Sequence, residues 1–478
     1  MSYKSEFLKI VYVISEKLLL FNLFIGFTKG SIEGNLYYLC RLIMKTKSIK
    51  RDKVNIITLG CSKNMVDSEV LSGQLLANEI DTVHESTKRD HNIVIINTCG
   101  FIEKAKEESI NTILDHVELK KRGKLDKVYV TGCLSERYRN NLEAEIPEVD
   151  AFFGTMELPQ LLKRFEADYK GELIGERLLS TPQHYAYMKI SEGCNRTCSF
   201  CAIPLMRGAH VSRPIESLVD EAKKLVQRGV KEVMLIAQEL TYYGLDIYKK
   251  RELPKLMHAL ADVEGLEWIR LHYAYPSKFP LEIIDAMKER DNICNYLDMP
   301  LQHASNDMLK AMKRQISREE MEDLVGEIRQ RIPDICLRTT LIAGFPGETR
   351  DDVEELKTFL QKMRFDRVGT FTYSHEEDTS AHDLVDNISA EEKEERALEI
   401  MEVQQDISLE KNQEKLGKTF KVIIDKKEAG RYLGRTEFDS VEVDNEVIVN
   451  SSKKLVIGNF VNVKITKAYD FDLEGEVV

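Results

Sequence analysis

Apolar positions along the chain fall into three successive regimes. From Lys53, short apolar runs alternate with amphipathic stretches. Strands are predicted at Val54–Leu59, Asn92–Asn97 and Asp126–Thr131, and helices at about Met65–Ala77, Lys104–Lys120 and Glu136–Ala144. This alternation predicts a parallel sheet with crossover helices. Residues 155–183, with Pro159 and Pro182, read as a connection. The pattern then repeats six times. Strands are predicted at Tyr185–Ile190, Glu232–Ala237, Trp268–Tyr273, Asn295–Met299, Cys336–Ile342 and Arg367–Tyr373. Helices are predicted between them at about Ile215–Arg228, Leu253–Asp262, Leu281–Lys288, Asn306–Lys313, Arg318–Arg331 and Arg350–Met363. Six β/α repeats predict a partial (β/α)6 barrel. Glu391–Lys415 reads as a charged helical connection. Short alternating strands follow at Thr419–Ile424, Arg431–Arg435, Glu446–Val449 and Phe460–Ile465, which predicts a small five-stranded β-barrel, OB-like. The fold class is α/β, with domains expected at 53–168, 180–410 and 412–478.

Residues 1–52 break the pattern. Leu8–Phe27 is apolar and aromatic, but Glu16 and Lys17 interrupt it midway, which is costly in hydrocarbon. No small-residue cleavage site follows. Met44, followed by Lys45, Lys47, Lys50, Arg51 and Lys53, reads like an ordinary start of translation. The segment is expected to be an extension outside the fold, neither membrane anchor nor signal peptide.

A chain of 478 residues is too long for one core, and two to four domains are expected. The net charge of −12 argues against non-specific nucleic-acid binding and suits a basic partner. Nine cysteines without a paired framework point to metal-bound thiols in a reducing cytoplasm.

The thiols fall into two sets. Cys194, Cys198 and Cys201 lie within eight residues, a spacing that wraps three thiolates around one face of a small metal cluster. A closed structural zinc site would want a fourth ligand, and neither His184 nor His210 stands at finger spacing. The loop follows the first strand of the six-fold block, and active groups on such barrels come from C-terminal strand ends. That edge presents Glu192, Gln238, His272, Gln302, His303 and the turn Gly344-Phe345-Pro346-Gly347-Glu348. Each has a plainer reading as a satisfied polar group or a turn glycine. The turn lacks the Lys and spacing of a phosphate-binding loop.

Cys61, Cys99 and Cys133 each end one of the first three strands. Parallel strands bring such positions to one edge. One buried cysteine is an ordinary core residue. Three at the same topological position, two preceded by Gly, read as a shared ligand set, although spacing does not name the metal. Cys40, Cys294 and Cys336 fit neither set. In the last block, Glu437, Asp439, Glu442, Asp444 and Glu446, with Asp470, Asp472, Glu474 and Glu476, suggest an acidic surface suited to a Lys/Arg-rich protein.

The Cys194 motif, with Phe200 in its aromatic slot, resembles the radical S-adenosylmethionine (SAM) superfamily. The three blocks in order resemble the methylthiotransferases, whose barrel is followed by a TRAM domain. The match runs from about Lys53 to Val478. It is carried by Gly60-Cys61-Ser62-Lys63-Asn64 with Asp67-Ser68, Asn97-Thr98-Cys99-Gly100, Thr131-Gly132-Cys133, Pro300-Leu301-Gln302-His303 and Gly344–Thr349. The resemblance implies two 4Fe-4S clusters. One, on Cys194, Cys198 and Cys201, binds and reductively cleaves SAM, with Phe200, Gln238, Gln302 and Gly344 as cofactor-binding residues. The other, on Cys61, Cys99 and Cys133, carries the sulfur on its open iron.

The run Ser62-Lys63-Asn64 stands where tRNA-modifying members usually carry a Gln-Met-Asn-like run. With Gly434-Arg435-Thr436 through Val443-Asp444, it resembles the branch that methylthiolates the β-carbon of an aspartate in ribosomal protein uS12. The implied partners are uS12, free or in the small subunit, and an electron donor such as flavodoxin or ferredoxin. No membrane and no direct tRNA substrate are expected. The alternatives are a tRNA-adenosine methylthiotransferase and, in another class, a non-catalytic iron–sulfur carrier or RNA-binding module. Two three-thiolate sets disfavour a carrier, which does better with saturated ligation.

Overall fold

The structure, a computed structural model, describes residues 52–88, 90–171 and 176–478. The expected extension, Asp52 apart, and Cys40 lie outside the described residues. The first sheet is built by β1 (Lys53–Thr58), β2 (Asp81–His84), β3 (Ile93–Thr98), β4 (Lys127–Gly132) and β5 (Ala151–Phe152), all parallel in the order β2-β1-β3-β4-β5. Every residue of β3 is buried, as befits a central strand covered on both faces. Helices α1 (Ser62–Ala77), α2 (Glu103–Lys121) and α3 (Cys133–Glu145) form the crossovers. Two edge strands escape the sequence pattern. β2 (Asp-Thr-Val-His) is half exposed and β5 has two residues, so neither shows an apolar run. The segment read as a connection contains a helix, α4 (Leu158–Lys163), with its proline in the first turn, where a missing N–H costs nothing.

The second sheet has six parallel strands in sequence order: β6 (Tyr185–Lys189), β9 (Glu232–Ile236), β10 (Trp268–Leu271), β11 (Ile293–Asp298), β12 (Cys336–Ala343) and β13 (Arg367–Thr372). A small ribbon, β7 (Ser191–Glu192) with β8 (Val211–Ser212), flanks the first strand. The intervening helices are α5 (Ile203–Arg207), α6 (Ile215–Gln227), α7 (Leu253–Ala261), α8 (Glu282–Glu289), α9 (Asn306–Ala311), α10 (Arg318–Arg331), α11 (Arg350–Met363) and α12 (Ala390–Gln413). The side-chain period of two gives this sheet two different faces. Met188, Val233, Leu235, Ile269, Leu271, Leu297, Leu337 and Leu341 join the helices in the largest core. The opposite face carries Glu232, Arg270, His272, Tyr296, Asp298, Arg338 and Arg367.

That charged face is closed off by the last domain. β14 (Thr419–Glu428), β15 (Arg431–Arg435), β16 (Val447–Asn450), β17 (Phe460–Ala468) and β18 (Leu473–Val477) form a closed barrel around Val422, Ile424, Val447, Val449, Val463 and Ile465. Arg435 donates to Glu232 at 2.8 Å, Arg367 to Asp439 at 2.5 Å and Tyr296 to Asp444 at 2.7 Å. Trp268 packs edge-on against Phe460, with ring centroids 4.8 Å apart.

This corrects the reading of Glu437–Glu446 as an acidic surface. Asp439 and Asp444 turn inward onto arginines of the sheet, and Glu437 accepts from the Asn295 amide at 3.2 Å. A sequence shows the charges but not the arginines, 72 and 106 residues away, that pair Asp439 and Asp444. The far end of the barrel carries a concavity of about 580 Å³ lined by Lys427, Arg431, Lys453 and Lys454, so its surface is not uniformly acidic. No helix among the described residues is long and apolar enough to cross a membrane.

Candidate active site

The first thiol set forms at the C-terminal edge of three adjacent parallel strands. Cys61 caps the N-terminus of α1, Cys99 follows β3, and Cys133 opens α3 directly after β4. Two glycines make the approach possible. A Cβ on Gly60 would stand 2.9 Å from the Cys99 sulfur, and one on Gly132 would stand 2.5 Å from the Thr98 carbonyl oxygen. Both also have positive φ, +92° and +100°, which side chains resist. The loops are tied by a buried amide pair. Asn64 donates to the carbonyls of Leu59 (2.7 Å) and Thr98 (3.1 Å), and Asn97 donates to the carbonyl of Asn64 (2.9 Å). Cys99 and Cys133 are buried while Cys61 is exposed. Burial pushes the Cys133 thiol up to about 12, against the pull of Arg207. Without a bound cation this thiol stays protonated.

The second set wraps the loop after β6. The Cys194 amide donates to the Gly208 carbonyl at 3.1 Å, and the Ser199 amide to the Met312 carbonyl at 3.0 Å. Arg314 donates to the Cys198 sulfur at 3.3 Å. Arg196 lies between the rings of Tyr242 and Tyr275, 3.9 and 3.8 Å from their centroids. Burial pushes Cys194 up to about 11 and Cys201 up to about 12. Among the described residues, no three His, Cys, Asp or Glu side chains form a group that could hold a single metal ion. Each set supplies three soft sulfur donors and one guanidinium against a sulfur. That chemistry fits a polynuclear, anionic iron–sulfur group.

Arg207 joins the two sets. It ends α5, in the same stretch as the second thiol set, and is 3% exposed. Its Nε donates to the Cys133 sulfur at 3.2 Å, its Nη1 to Asp67 at 2.6 Å, and its Nη2 to the Asn64 side chain. Cys133 also packs against Ala202 and Met206. Asp67 and Glu192 are shared with Lys189. Burial raises Glu192, but Lys189 and Arg207 overcome it and hold the carboxyl at about 2.

The remaining predicted residues take distinct places. Gln238 donates to Glu192 at 2.6 Å, and its own oxygen is buried with no hydrogen-bond partner among the described residues. Phe200 packs near Met308, Met312, Phe345 and Tyr373. Gln302 has φ +79° and pairs through its backbone with β12. Gly344 has φ +76°, and a Cβ there would strike the Lys393 stem at 2.2 Å. His303 is fully buried against Glu348 (3.2 Å), which also binds Arg396 (3.0 Å). His272 hydrogen-bonds Ser440 at 2.9 Å, and burial with Arg270 and Arg338 nearby keeps it neutral, well below the usual range. It faces the barrel rather than the thiols. Sequence reasoning missed Arg207, Lys189 and Arg314 as site residues. Their only signal was a cation near each motif, too common to single out.

Comparisons with known proteins agree with this geometry. Family models match the chain at residues 53–154 (the uncharacterized protein family UPF0004), 188–360 (the radical SAM superfamily) and 416–478 (the TRAM domain). Among solved structures, the radical S-adenosylmethionine methyltransferase TsrM from Kitasatospora setae superposes with a TM-score of 0.52 over 67% of this chain and 72% of its own, at 15% identity, a likeness of fold. Sheet and cysteine loop together thus define a radical SAM protein with an added N-terminal thiol domain. Proteins called ribosomal protein uS12 methylthiotransferase RimO are far more similar in sequence. Those of Cytophaga hutchinsonii and Flavobacterium psychrophilum are 59% identical over 91% of this chain and 100% of their own length, and that of Phocaeicola vulgatus 54% over 90% and 100%. The chain belongs to the RimO family of radical SAM methylthiotransferases.

Proposed function

We propose that this protein adds a methylthio group to the β-carbon of an aspartate in ribosomal protein uS12, in the cytoplasm, with electrons from a flavodoxin or ferredoxin. The supporting observation is the 3.2 Å contact from Arg207 to Cys133, which ties the N-terminal thiol edge to the radical SAM loop. Cys194, Cys198 and Cys201 would hold the cluster that engages SAM, and Cys61, Cys99 and Cys133 the auxiliary one. With SAM these groups would supply a carbon-centred radical and a sulfur atom. Phe200, Gln238, Gln302 and Gly344 are proposed to line the SAM site.

The chain's own residues position and shield. The β-carbon of an aspartate is not acidic, so a side-chain base has no role, and the site needs none. Arg207 and Arg314 place fixed positive charge against the Cys133 and Cys198 sulfurs, at 3.2 and 3.3 Å, where an anionic cluster would be held. Lys189 and Arg207 pin Asp67 and Glu192, locking α1 to the loop after β6. Burial of the loops keeps water from a reactive intermediate.

Anaerobic reconstitution with iron, sulfide and SAM, followed by mass analysis of a uS12 peptide and of tRNA nucleosides, tests the reading. A methylthio group on the peptide aspartate supports it. A methylthio group on tRNA alone, or no 5′-deoxyadenosine under reduction, overturns it.

A further inference from the structure

Lys63 is a buried cation that no carboxylate side chain among the described residues pairs. It lies in the first turn of α1, two residues after Cys61, and is 7% exposed. Its Nζ sits 3.1 Å from the centroid of the Tyr273 ring, at the C-terminal end of β10. Among the described residues its ammonium makes no hydrogen bond and no ion pair. The carboxylates nearby are already committed. Asp67 is held by Lys189 and Arg207, Glu192 by these two and Gln238, and Asp298 by Arg338 (3.1 Å) and the Tyr273 amide (3.2 Å). His272 stays neutral and offers no charge.

A ring face offsets part of the cost of burying an ammonium but accepts none of its N–H bonds in full. Such a group waits for an anion. The ammonium is not among the fully sealed, unpartnered polar atoms. It also stands where the N-terminal domain meets the C-terminal strand ends of the barrel sheet, beside the edge that carries Cys61.

We propose that Lys63 binds the carboxylate of the aspartate that is modified. This rests on the uS12 reading above. The carboxyl carbon is bonded directly to the β-carbon, so gripping the carboxylate fixes the reacting atom within one bond length of an anchored group. The same contact separates substrate classes. An aspartate side chain is an anion of the right reach, whereas an adenine ring is neutral and leaves the ammonium's charge uncompensated.

The test is equilibrium binding of two peptides spanning the target loop of uS12, one with Asp and one with Asn at the modified position. Binding to the anaerobically reconstituted holoenzyme is read by fluorescence anisotropy. For the wild type, Asn weakens binding about tenfold or more, the usual worth of a hydrogen bond to a charged partner. Lys63→Met weakens the Asp peptide by the same factor and binds both peptides alike, while Lys63→Arg keeps the preference.

The proposal fails if the wild type binds both peptides alike, a comparison that needs no variant. It also fails if Lys63→Met, with iron content intact, keeps the Asp preference or loses both peptides equally, as a SAM contact would require. Transfer to the Asp peptide without any Asp preference in binding breaks only the Lys63 assignment. An unmodified peptide with modified tRNA breaks the uS12 reading itself.

Discussion

At the scale of single residues, the site depends on atoms that occupy little space and charges that cannot leave. Gly132 is the sharper steric case. A Cβ there would meet the Asn97 side-chain oxygen and the Thr98 carbonyl, both at 2.5 Å, and the second is backbone that cannot yield. Gly132→Ala is expected to cost on the order of 1–3 kcal/mol through strain and displacement. It should lower iron content by one cluster's worth while the Cys194 set still loads, as iron analysis and EPR would show. Arg207 is the charge case. Lys189 remains to pair Asp67 and Glu192 if it is lost, so Arg207→Met should cost less than the about 3–5 kcal/mol of a fully orphaned buried charge. The more specific effect is electrostatic. Removing a cation 3.2 Å from the Cys133 sulfur should lower the reduction potential of the auxiliary cluster, and Arg207→Lys should restore part of it. An unmoved potential in both would leave Arg207 a purely structural role.

At the scale of elements, the strand ends are the proposed ligand edge. β1, β3 and β4 are neighbours in one parallel sheet, so residues just past their ends converge although 34 to 38 positions separate them in sequence. Cys99→Ser should therefore remove about half of the iron and leave the SAM-cleaving signal of the Cys194 set, in the same EPR experiment. Unchanged iron would contradict a shared ligand set. This convergence was legible beforehand because the parallel βαβ rule turns strand order into spatial order. The long amphipathic helices were legible for the same local reason, with α10 and α11 each starting at a capping box. Arg207, Lys63 and Asp439 were not. What makes each matter is a partner from another domain: Cys133, Tyr273 and Arg367 respectively. No periodicity within one segment records a partner of that kind.

At the scale of the whole molecule, the charged face of the second sheet predicts how stability responds to acid. Burial pushes Glu232 and Asp439 up, but Arg435 with Arg270, and Arg367, overcome it, so both carboxyls sit below their ordinary values of 4.5 and 3.8. A depressed carboxyl contributes stability above the unfolded value and loses it as pH falls through the folded one. Asp298 and Glu437, pushed up by burial, take protons earlier in the native state and offset part of that loss. His272, held well below 6.5, makes the unfolded chain the better proton acceptor from about that pH downward. Urea unfolding should therefore show a shallow decline from pH 6.5 and a steeper one below about 4. Each proton of difference is worth about 1.4 kcal/mol per pH unit. A midpoint independent of pH between 7 and 3.5 would show that these pairs do not couple to folding.

The same face makes the C-terminal barrel part of the fold rather than an appendage, and the chain carries its own reporter. Trp268 is the single tryptophan, 4% exposed, and it stands at the seam against Phe460. Cys294, Tyr296 and Cys336 share its cluster with Ile423 and Phe438 of the barrel. Ending the chain after Gln413 would strip these apolar side chains of cover. It would leave Arg367 without Asp439, Glu232 without Arg435 and Arg338 without Asp444. Glu232 keeps Arg270 and Arg338 keeps Asp298, and water reaches the bared face, so the larger loss is the apolar seam, at about 1.5–3 kcal/mol per large side chain exposed. The truncated chain should aggregate or unfold, with tryptophan emission shifted to the red. Phe460→Ala isolates the seam from the charges. Phe460 is half-buried, so its loss should cost about 2 kcal/mol and shift the emission only slightly. A truncated chain that stays monomeric, with blue-shifted emission and a full Cys194 cluster, would mean that the apolar seam tolerates water. The barrel would then serve the substrate alone.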